Sequence, residues 1–333
     1  MEFLKSFWDE NFSYYTLAEF EGRHLTKMNL SKNQSIIKNH IEPWFSENYP
    51  HLLLRKTDEK KLKEFITSLY SKKCLYKDCN LSTGFIKKIK TCITVPLKWA
   101  QQNNLYYPSL NINLSMPLMR YKEVVHRGIL NDSEEKVLLS YQWKNQKAYW
   151  GFKIAIICGL RLGEIRALRF CDVTKEFIKV RRAYNDIDKI KSTKTGTVRF
   201  VPSPEEFYNH FEKQRIEMNA KYTDFIFCCK SDGTVPVDEN YFTRNFYKVM
   251  KELGIERVRY NPENDKIETV CFHSLRHQTA TRWVSCGEDV RIVAKALGHS
   301  TAMLQQRYAN HFDEKMMKRF RNKLIEKGSL NLL

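Results

Sequence analysis

Along the first hundred residues, apolar side chains recur at helical spacing between short polar breaks. Ile36, Ile37, His40 and Ile41 precede Pro43, and Leu62, Phe65, Ile66 and Leu69 follow in a second such stretch. Ile86, Ile89 and Ile93 share one face of a third stretch, while Lys87, Lys88 and Lys90 fall elsewhere on it, so one helix can bury one side and offer cations on another. The pattern predicts an all-helical region to about residue 105, read as a domain over residues 1–107. Between residues 106 and 128 the period is lost, and Pro108, Asn111, Asn113, Pro117, Arg120, Lys122 and Arg127 stand out, which predicts a basic linker over residues 108–128. Beyond it, Asn131-Asp132-Ser133-Glu134 has the cap-then-acid order of a helix start, and Trp150 to Cys158 is strongly apolar. A second domain is expected there, over residues 129–312.

Within that domain the period shortens. Phe177-Ile178-Lys179-Val180-Arg181 and Val198-Arg199-Phe200-Val201 alternate apolar and polar positions and read as strands, with Lys194-Thr195-Gly196 as a turn before the second. Helical spacing returns over residues 241–253, 275–284, 290–297 and 303–308, between breaks rich in Gly, Ser and Asp. The expected fold class is therefore mainly α with a small β-sheet, in two domains, followed by a tail helix over residues 313–333.

Composition narrows the function. Hydrophobic residues make up 42% of the 333 and aromatics 13%, too much apolar surface for a solvated coil. Lys and Arg number 56 against 38 Asp and Glu, a formal charge of +18. The excess is spread: residues 1–120 hold 18 basic and 11 acidic side chains, and residues 121–333 hold 38 and 27. A polyanion is the expected partner, and a charge distributed over both halves suits wrapping of duplex DNA better than a single basic arm, because each neutralised phosphate releases counterions. A merely solvated basic surface is the competing explanation. The start MEFLKSFWDENF lacks the order of a secretory signal, and no apolar run approaches a membrane span, so no membrane association is expected and the localisation reads as cytoplasmic. Nine Cys at irregular spacing predict reduced thiols; Cys74 with Cys79, or Cys228 with Cys229, could hold zinc, but without a CxxC or HExxH pattern buried structural Cys is the preferred reading and no metal is expected.

Chemistry is concentrated in the second half. Arg161, in Gly159-Leu160-Arg161-Leu162-Gly163-Glu164-Ile165, falls at a break between two apolar helices, where an unpaired cation is expensive and needs an anion or a pairing with Glu164 three residues on. In Phe272-His273-Ser274-Leu275-Arg276-His277, Ser274 reads as an N-cap, with His273 just ahead of the helix and Arg276 in its first turn, where a cation is unfavourable unless an anion binds there. His277 reads as a structural hydrogen-bonding group. Ala296-Leu297-Gly298-His299-Ser300 ends one helix at a glycine and leaves His299 in the corner, with Tyr308 nine residues later. Taken singly, each of these residues has an ordinary structural explanation.

In the order Arg161, His273-x-x-Arg276, Leu297-Gly298-His299, Tyr308, this half resembles the tyrosine recombinase (phage integrase) family, whose second domain carries an Arg, a Lys, a His-x-x-Arg, a His or Trp, and a Tyr. Residues 159–168, 273–280 and 297–308 look like the family's motifs in the family's order, so the resemblance spans most of residues 130–312. Residues 1–110 resemble the family's helical core-binding domain in length, charge and position. The resemblance implies a helical, SAM-like core-binding domain followed by a mixed α/β catalytic domain. It implies metal-free, cofactor-free DNA cleavage and rejoining with Tyr308 as nucleophile through a 3′-phosphotyrosine, Arg161 and Arg276 on the non-bridging oxygens, His273 and His299 completing the shell, and a lysine on a β-turn protonating the leaving 5′ oxygen. Lys194 matches that position, with Lys189 and Lys191 as nearby rivals. Glu164 and His277 are supporting residues, and Lys87, Lys88, Lys90, Arg120, Lys122 and Arg127 are DNA-binding candidates. The implied partners are double-stranded DNA and a homo-tetramer on synapsed DNA, with accessory DNA-bending or directionality factors. An apolar stripe of Met316, Met317, Phe320, Leu324 and Ile325 would dock on a neighbouring subunit or pack on its own domain.

The same chemistry has two rivals. A type IB topoisomerase uses a similar set but carries a Lys-x-x-Arg-like second block where this chain has His273 and Arg276. A regulator with the recombinase fold would be expected to show a damaged residue set, whereas all six positions are filled. The first expected helix begins almost at Met1, so the small arm-binding domain of many phage integrases is not expected ahead of it. Phage integration, a mobile element, inversion and chromosome-dimer resolution all remain open.

Overall fold

The computed structural model describes residues 1–21, 25–53, 56–74, 80–105, 126–192, 198–229, 233–262, 265–286 and 289–298. Two compact units divide the chain, Met1–Val124 and Val125–Leu333. Arg120 and Lys122, Lys194, His299, Tyr308 and the tail stripe lie outside the described residues, as does most of the expected linker.

The described part of the first unit is helical: α1 (Glu2–Phe7), α2 (Ser13–Phe20), α3 (Lys27–Ile36), a π turn (Ile37–Ile41) running into α4 (Glu42–Asn48), α5 (Glu59–Tyr70) and α6 (Thr83–Gln102). Three of these starts are capped by side chains. Thr26, Asp58 and Ser82 accept from the backbone N–H of Asn29, Lys61 and Phe85, satisfying donors that a helix start otherwise leaves open. The apolar stripes read from spacing form the core: Ile37, Ile41, Leu62, Phe65, Ile66, Leu69, Ile86, Ile89 and Ile93 are all buried, around Phe7 and Trp8. Pro96 lies inside α6, where its missing N–H would strand the carbonyl four residues earlier. That carbonyl, on Cys92, instead accepts from the Trp8 indole at 3.1 Å, so α1 repairs the defect in α6.

The second unit holds β1 (His126–Arg127), α7 (Asp132–Ser140), α8 (Gln146–Cys158), α9 (Leu162–Arg166), a 3-10 turn (Phe170–Asp172), β2 (Phe177–Val180), β3 (Arg182–Asn185), β4 (Lys189–Ser192), β5 (Arg199–Pro202), α10 (Glu205–Glu217), α11 (Tyr241–Glu252), β6 (Val258–Asn261), β7 (Lys266–Thr269), α12 (Phe272–Ser285) and α13 (Val290–Leu297). The capping box at Asn131 and Glu134 opens α7 as its sequence predicts. α8 is the central helix, with Phe152, Ile154 and Ile156 buried against Phe242 and Phe246 of α11 and Phe272 and Leu275 of α12. α8 and α11 approach so closely at Gly151 that a Cβ there would sit 2.0 Å from the Phe242 ring.

The strands form three small sheets rather than one. β2 pairs antiparallel with β5, β3 with β4, and β7 lies between β1 and β6. The two strands read from the sequence do pair, Val180 opposite Arg199, but a whole hairpin, β3–β4, is inserted between them. The alternation has the right period in both, and Ile178 and Val180 of β2 are buried, but in β5 the face is inverted. Val198 and Phe200 are more than half exposed, while Arg199 and Val201 point inward.

Cys92, Cys158 and Cys228 are buried, whereas Cys171, Cys229 and Cys286 are exposed, so the expectation of buried structural thiols holds for only part of the set. Of the Cys228–Cys229 pair, one is buried and the other exposed. Cys79 is outside the described residues. No described helix is long and apolar enough to cross a membrane.

Candidate active site

Arg161 owes its position to a corner. α8 ends at Gly159, whose φ of +66° suits glycine, and a Cβ there would meet Leu297 of α13 at 2.7 Å and Thr279 of α12 at 3.2 Å. The chain then turns, and Arg161 takes the N-cap position of α9 in extended backbone. Glu164, at the third helical position, accepts the Arg161 backbone N–H at 2.8 Å through Oε2 and the guanidinium Nη1 at 2.9 Å through Oε1. The pairing expected between these residues is present, but it is not the whole of it. Arg199 of β5 donates from Nη2 to Glu164 Oε2 at 2.6 Å. Glu164 is 2% exposed. Burial by itself would push its carboxyl up; the hydrogen bond and charge of Arg199 and the charge of Arg161 outweigh that and hold it below the usual carboxylate range.

α12 begins earlier than its sequence suggests. Cys271 is the N-cap and Ser274 the third helical residue, its Oγ accepting from the Cys271 backbone N–H at 3.1 Å. His273 is therefore inside the helix, as its second residue, and exposed, and Arg276 is the fifth residue rather than part of the first turn. Arg276 is almost fully buried and donates to Gly159 O at 2.7 Å and to Leu297 O. The cost expected of a cation in a first turn therefore does not arise, and the burial of its charge is compensated by these two backbone carbonyls. His277 is half-buried, and α12 is locked on α8 by Thr279, whose hydroxyl donates to Ile156 O at 2.9 Å.

These arginines converge on one helix end. α13 stops at Gly298, with φ of +63°, and the carbonyls that close a helix have no partner within it. Here each of three successive carbonyls takes a different guanidinium: Ala296 O from Arg199 Nε at 2.8 Å, Leu297 O from Arg276 Nη2, and Gly298 O from Arg161 Nη2 at 2.7 Å. Cations at a helix C-terminus are also favoured by its dipole. Arg161 and Arg276, 115 positions apart in the chain, thus meet on adjacent peptide units immediately before His299. The Arg161 side chain stays 25% exposed, so a surface remains on which an anion can land.

Of the lysines near the expected turn, Lys191 lies in β4 with Nζ 3.3 Å from Asp188, and Lys189 opens that strand with φ of +58°. Lys194 belongs to residues 193–197, between β4 and β5, whose first residue is Arg199. In the first unit, Lys87 and Lys88 are exposed on α6; Lys90 is half-buried, and burial, then Lys98 and Lys87, pull its pKa down. Arg127, in β1, is exposed. Among the described residues no group of three or more His, Cys, Asp or Glu side chains is placed to hold a metal. The residue that sequence reasoning missed is Arg199; the available signal was a charged residue in phase with Val201 on the strand.

The helix–corner–helix arrangement with small sheets around it is the fold of the integrases, and the chain belongs to the phage integrase family, which it matches over residues 127–315. Among known proteins it is similar to the tyrosine recombinase of Pseudothermotoga lettingae, 25% identical over 198 residues, 59% of this chain and 60% of that one. It is also similar to the transposase from transposon Tn916 of Enterococcus faecalis, 26% identical over 217 residues, 58% of this chain and 51% of the transposase. The match to the tyrosine recombinase XerC of Treponema denticola is weaker in identity, 21%, but covers 91% of this chain and 94% of that one. The matches to the first two relatives thus span only about half to three-fifths of their length. In structure, the chain resembles the Tn1549 transposon integrase in complex with a circular intermediate DNA, with a TM-score of 0.63 at 20% identity over 93% of this chain and 98% of that one. It also resembles the lambda integrase tetramer bound to a Holliday junction, with a TM-score of 0.62 at 14% identity over 90% and 76%.

Proposed function

We propose that the chain is a site-specific DNA recombinase that cuts and rejoins duplex DNA through a 3′-phosphotyrosine, for integration and excision of a phage or mobile element. The observation that carries this reading is the meeting of Arg161 and Arg276, from two separate elements, on the adjacent carbonyls that lead into His299. Two guanidinia so placed can hold the two non-bridging oxygens of one phosphodiester and stabilise the charge that grows there in the transition state. Tyr308 attacks phosphorus, its oxygen forming the new P–O bond while the bond to the 5′ oxygen breaks. His273 takes the tyrosine proton, His299 donates to the phosphoryl group, and Lys194 protonates the departing oxygen. Glu164 orients Arg161, and His277 supports α12. The free 5′-hydroxyl of a partner strand then reverses the step, and the bond energy kept in the covalent link makes neither a metal nor a cofactor necessary.

Two cuts in each of two duplexes call for four active sites, so a homo-tetramer on synapsed DNA follows from the reaction, with the tail after residue 312 as a subunit contact. DNA-bending or directionality factors would act as accessories, and the setting would be the cytoplasm of a prokaryote or its phage. Residues 1–107 would grip the duplex, with Lys87, Lys88 and Lys90, joined by Arg120, Lys122 and Arg127 of the linker over residues 108–128, on the backbone phosphates. The similarity to transposon transposases favours the mobile-element role. A second reading, a recombinase that serves no mobile element, has in its favour the match to the Treponema denticola recombinase over nearly the full length of both chains.

The test is to incubate the chain with a pool of nicked duplexes with randomised arms and recover protein–DNA adducts that survive denaturation. Wild type should yield an adduct and Tyr308→Phe none; an adduct that persists in Tyr308→Phe moves the nucleophile elsewhere, and no adduct with wild type removes the proposal. Joined products from two duplexes would separate a recombinase from a topoisomerase.

A further inference from the structure

Arg199 is a buried cation beside the candidate site that the proposed chemistry does not use. It is 5% exposed and touches both halves of the candidate site. Its Nη2 donates to Glu164 Oε2 at 2.6 Å, and its Nε donates to Ala296 O at 2.8 Å. Glu164 Oε1 is occupied by Arg161, so the carboxylate is a bridge between one arginine that faces solvent and one that does not. The remaining nitrogen, Nη1, has no hydrogen-bond partner among the described residues and lies 3.4 Å from where a Cβ on Gly298 would be. A buried N–H left without a partner is costly, and it persists where the other contacts of the group over-determine its position.

Resting on the recombinase reading, we infer that Arg199 is a positioning residue for the cleavage step: one guanidinium holds Glu164 against Arg161 and at the same time pins the end of α13 from which His299 continues. The planar fork is what makes this possible, because Nε and Nη2 point to different acceptors from one rigid group. A lysine could satisfy either the carboxylate or the Ala296 carbonyl, not both. Without Arg199, Glu164 would keep a single counter-charge, Arg161 would share its carboxylate with water, and the helix end would lose one of its three arginine ties.

The experiment uses the full chain and a nicked duplex recovered from the wild-type adducts, comparing wild type, Arg199→Met, Arg199→Lys and the double variant Arg199→Met/Glu164→Gln. In Arg199→Met the single-turnover cleavage rate at saturating protein should fall roughly 10- to 100-fold, the scale of a small misplacement in a site. The concentration for half-saturation of the duplex should stay within about twofold, since one charge in a basic protein changes phosphate contacts little. The acid limb of its rate profile should move to higher pH, because Glu164 is then easier to protonate, and that shift should vanish in the double variant. Arg199→Lys should cleave more slowly than wild type with its acid limb unmoved. An Arg199→Met protein that cleaves at the wild-type rate, or one whose loss appears only in DNA affinity, overturns the inference and leaves the recombinase reading intact. If Arg199→Met does not fold, a folded Arg199→Lys with the wild-type rate overturns it equally. Absence of any wild-type adduct sinks both.

Discussion

Glu164 carries more of the site's order than any other single side chain. Its two oxygens serve Arg161 twice and Arg199 once, and the side chain is buried. Because its carboxyl is held below the usual range, its contribution is complete above the unfolded value of about 4.3 and is lost as pH falls through the lower folded value. Glu164→Gln should therefore destabilise by about 3–5 kcal/mol at pH 7, the scale for breaking a buried pair, and the gap from wild type should close as the pH is lowered below about 4. Chemical denaturation at the two pH values checks this; a gap independent of pH would mean the charge of Glu164 is not what matters. The partner three residues away was legible because residues three apart face each other on a helix. Arg199 was not, since it arrives from 35 positions further on and the alternation of its strand favoured the opposite face.

At the scale of elements, helix stripes and caps follow from local rules, and defects are mended from a distance. The Asn131 box and the stripe of α6 are read directly, because capping and periodicity depend only on near neighbours. The start of α12 shifts from its expected place because a serine serves equally as a cap or as the third residue folding back on the cap, as Ser274 does. Pro96 illustrates the mending. With the Cys92 carbonyl freed, the Trp8 indole is the donor that satisfies it. Trp8→Phe keeps most of the apolar volume but strands that carbonyl, and should lower stability by about 1–3 kcal/mol. A thermal melt of the variant measures the loss, and an unchanged midpoint would show that the carbonyl finds another partner. The β3–β4 hairpin was missed because a four-residue strand of mixed polarity, such as Lys189–Ser192, has no apolar alternation to read.

Over the whole molecule the excess of basic side chains is the feature that composition alone makes visible, and under the proposed function it makes DNA binding steeply dependent on salt. Lys87→Ala and Lys88→Ala together remove two exposed cations from α6. If both meet phosphates, the slope of log affinity against log salt should flatten by roughly 0.9 per lysine, with little effect on which duplex is preferred. Fluorescence anisotropy over a salt series reads the slope directly, and an unaltered slope would assign these lysines to a solvated face. By itself the sequence determined the helical first unit, the mixed second one, the basic character and the order of candidate residues, because spacing, capping and charge act between neighbours or sum over the chain. Only the tertiary structure decided that Arg161, Arg199 and Arg276 end on three consecutive carbonyls of one helix, with Glu164 shared between two of them. Gathering three cations, two of them buried, is tolerable only where carbonyls and a carboxylate from separate elements meet them, and that meeting is created by the packing of α8, α9, α12, α13 and β5 and by nothing local to any one of them.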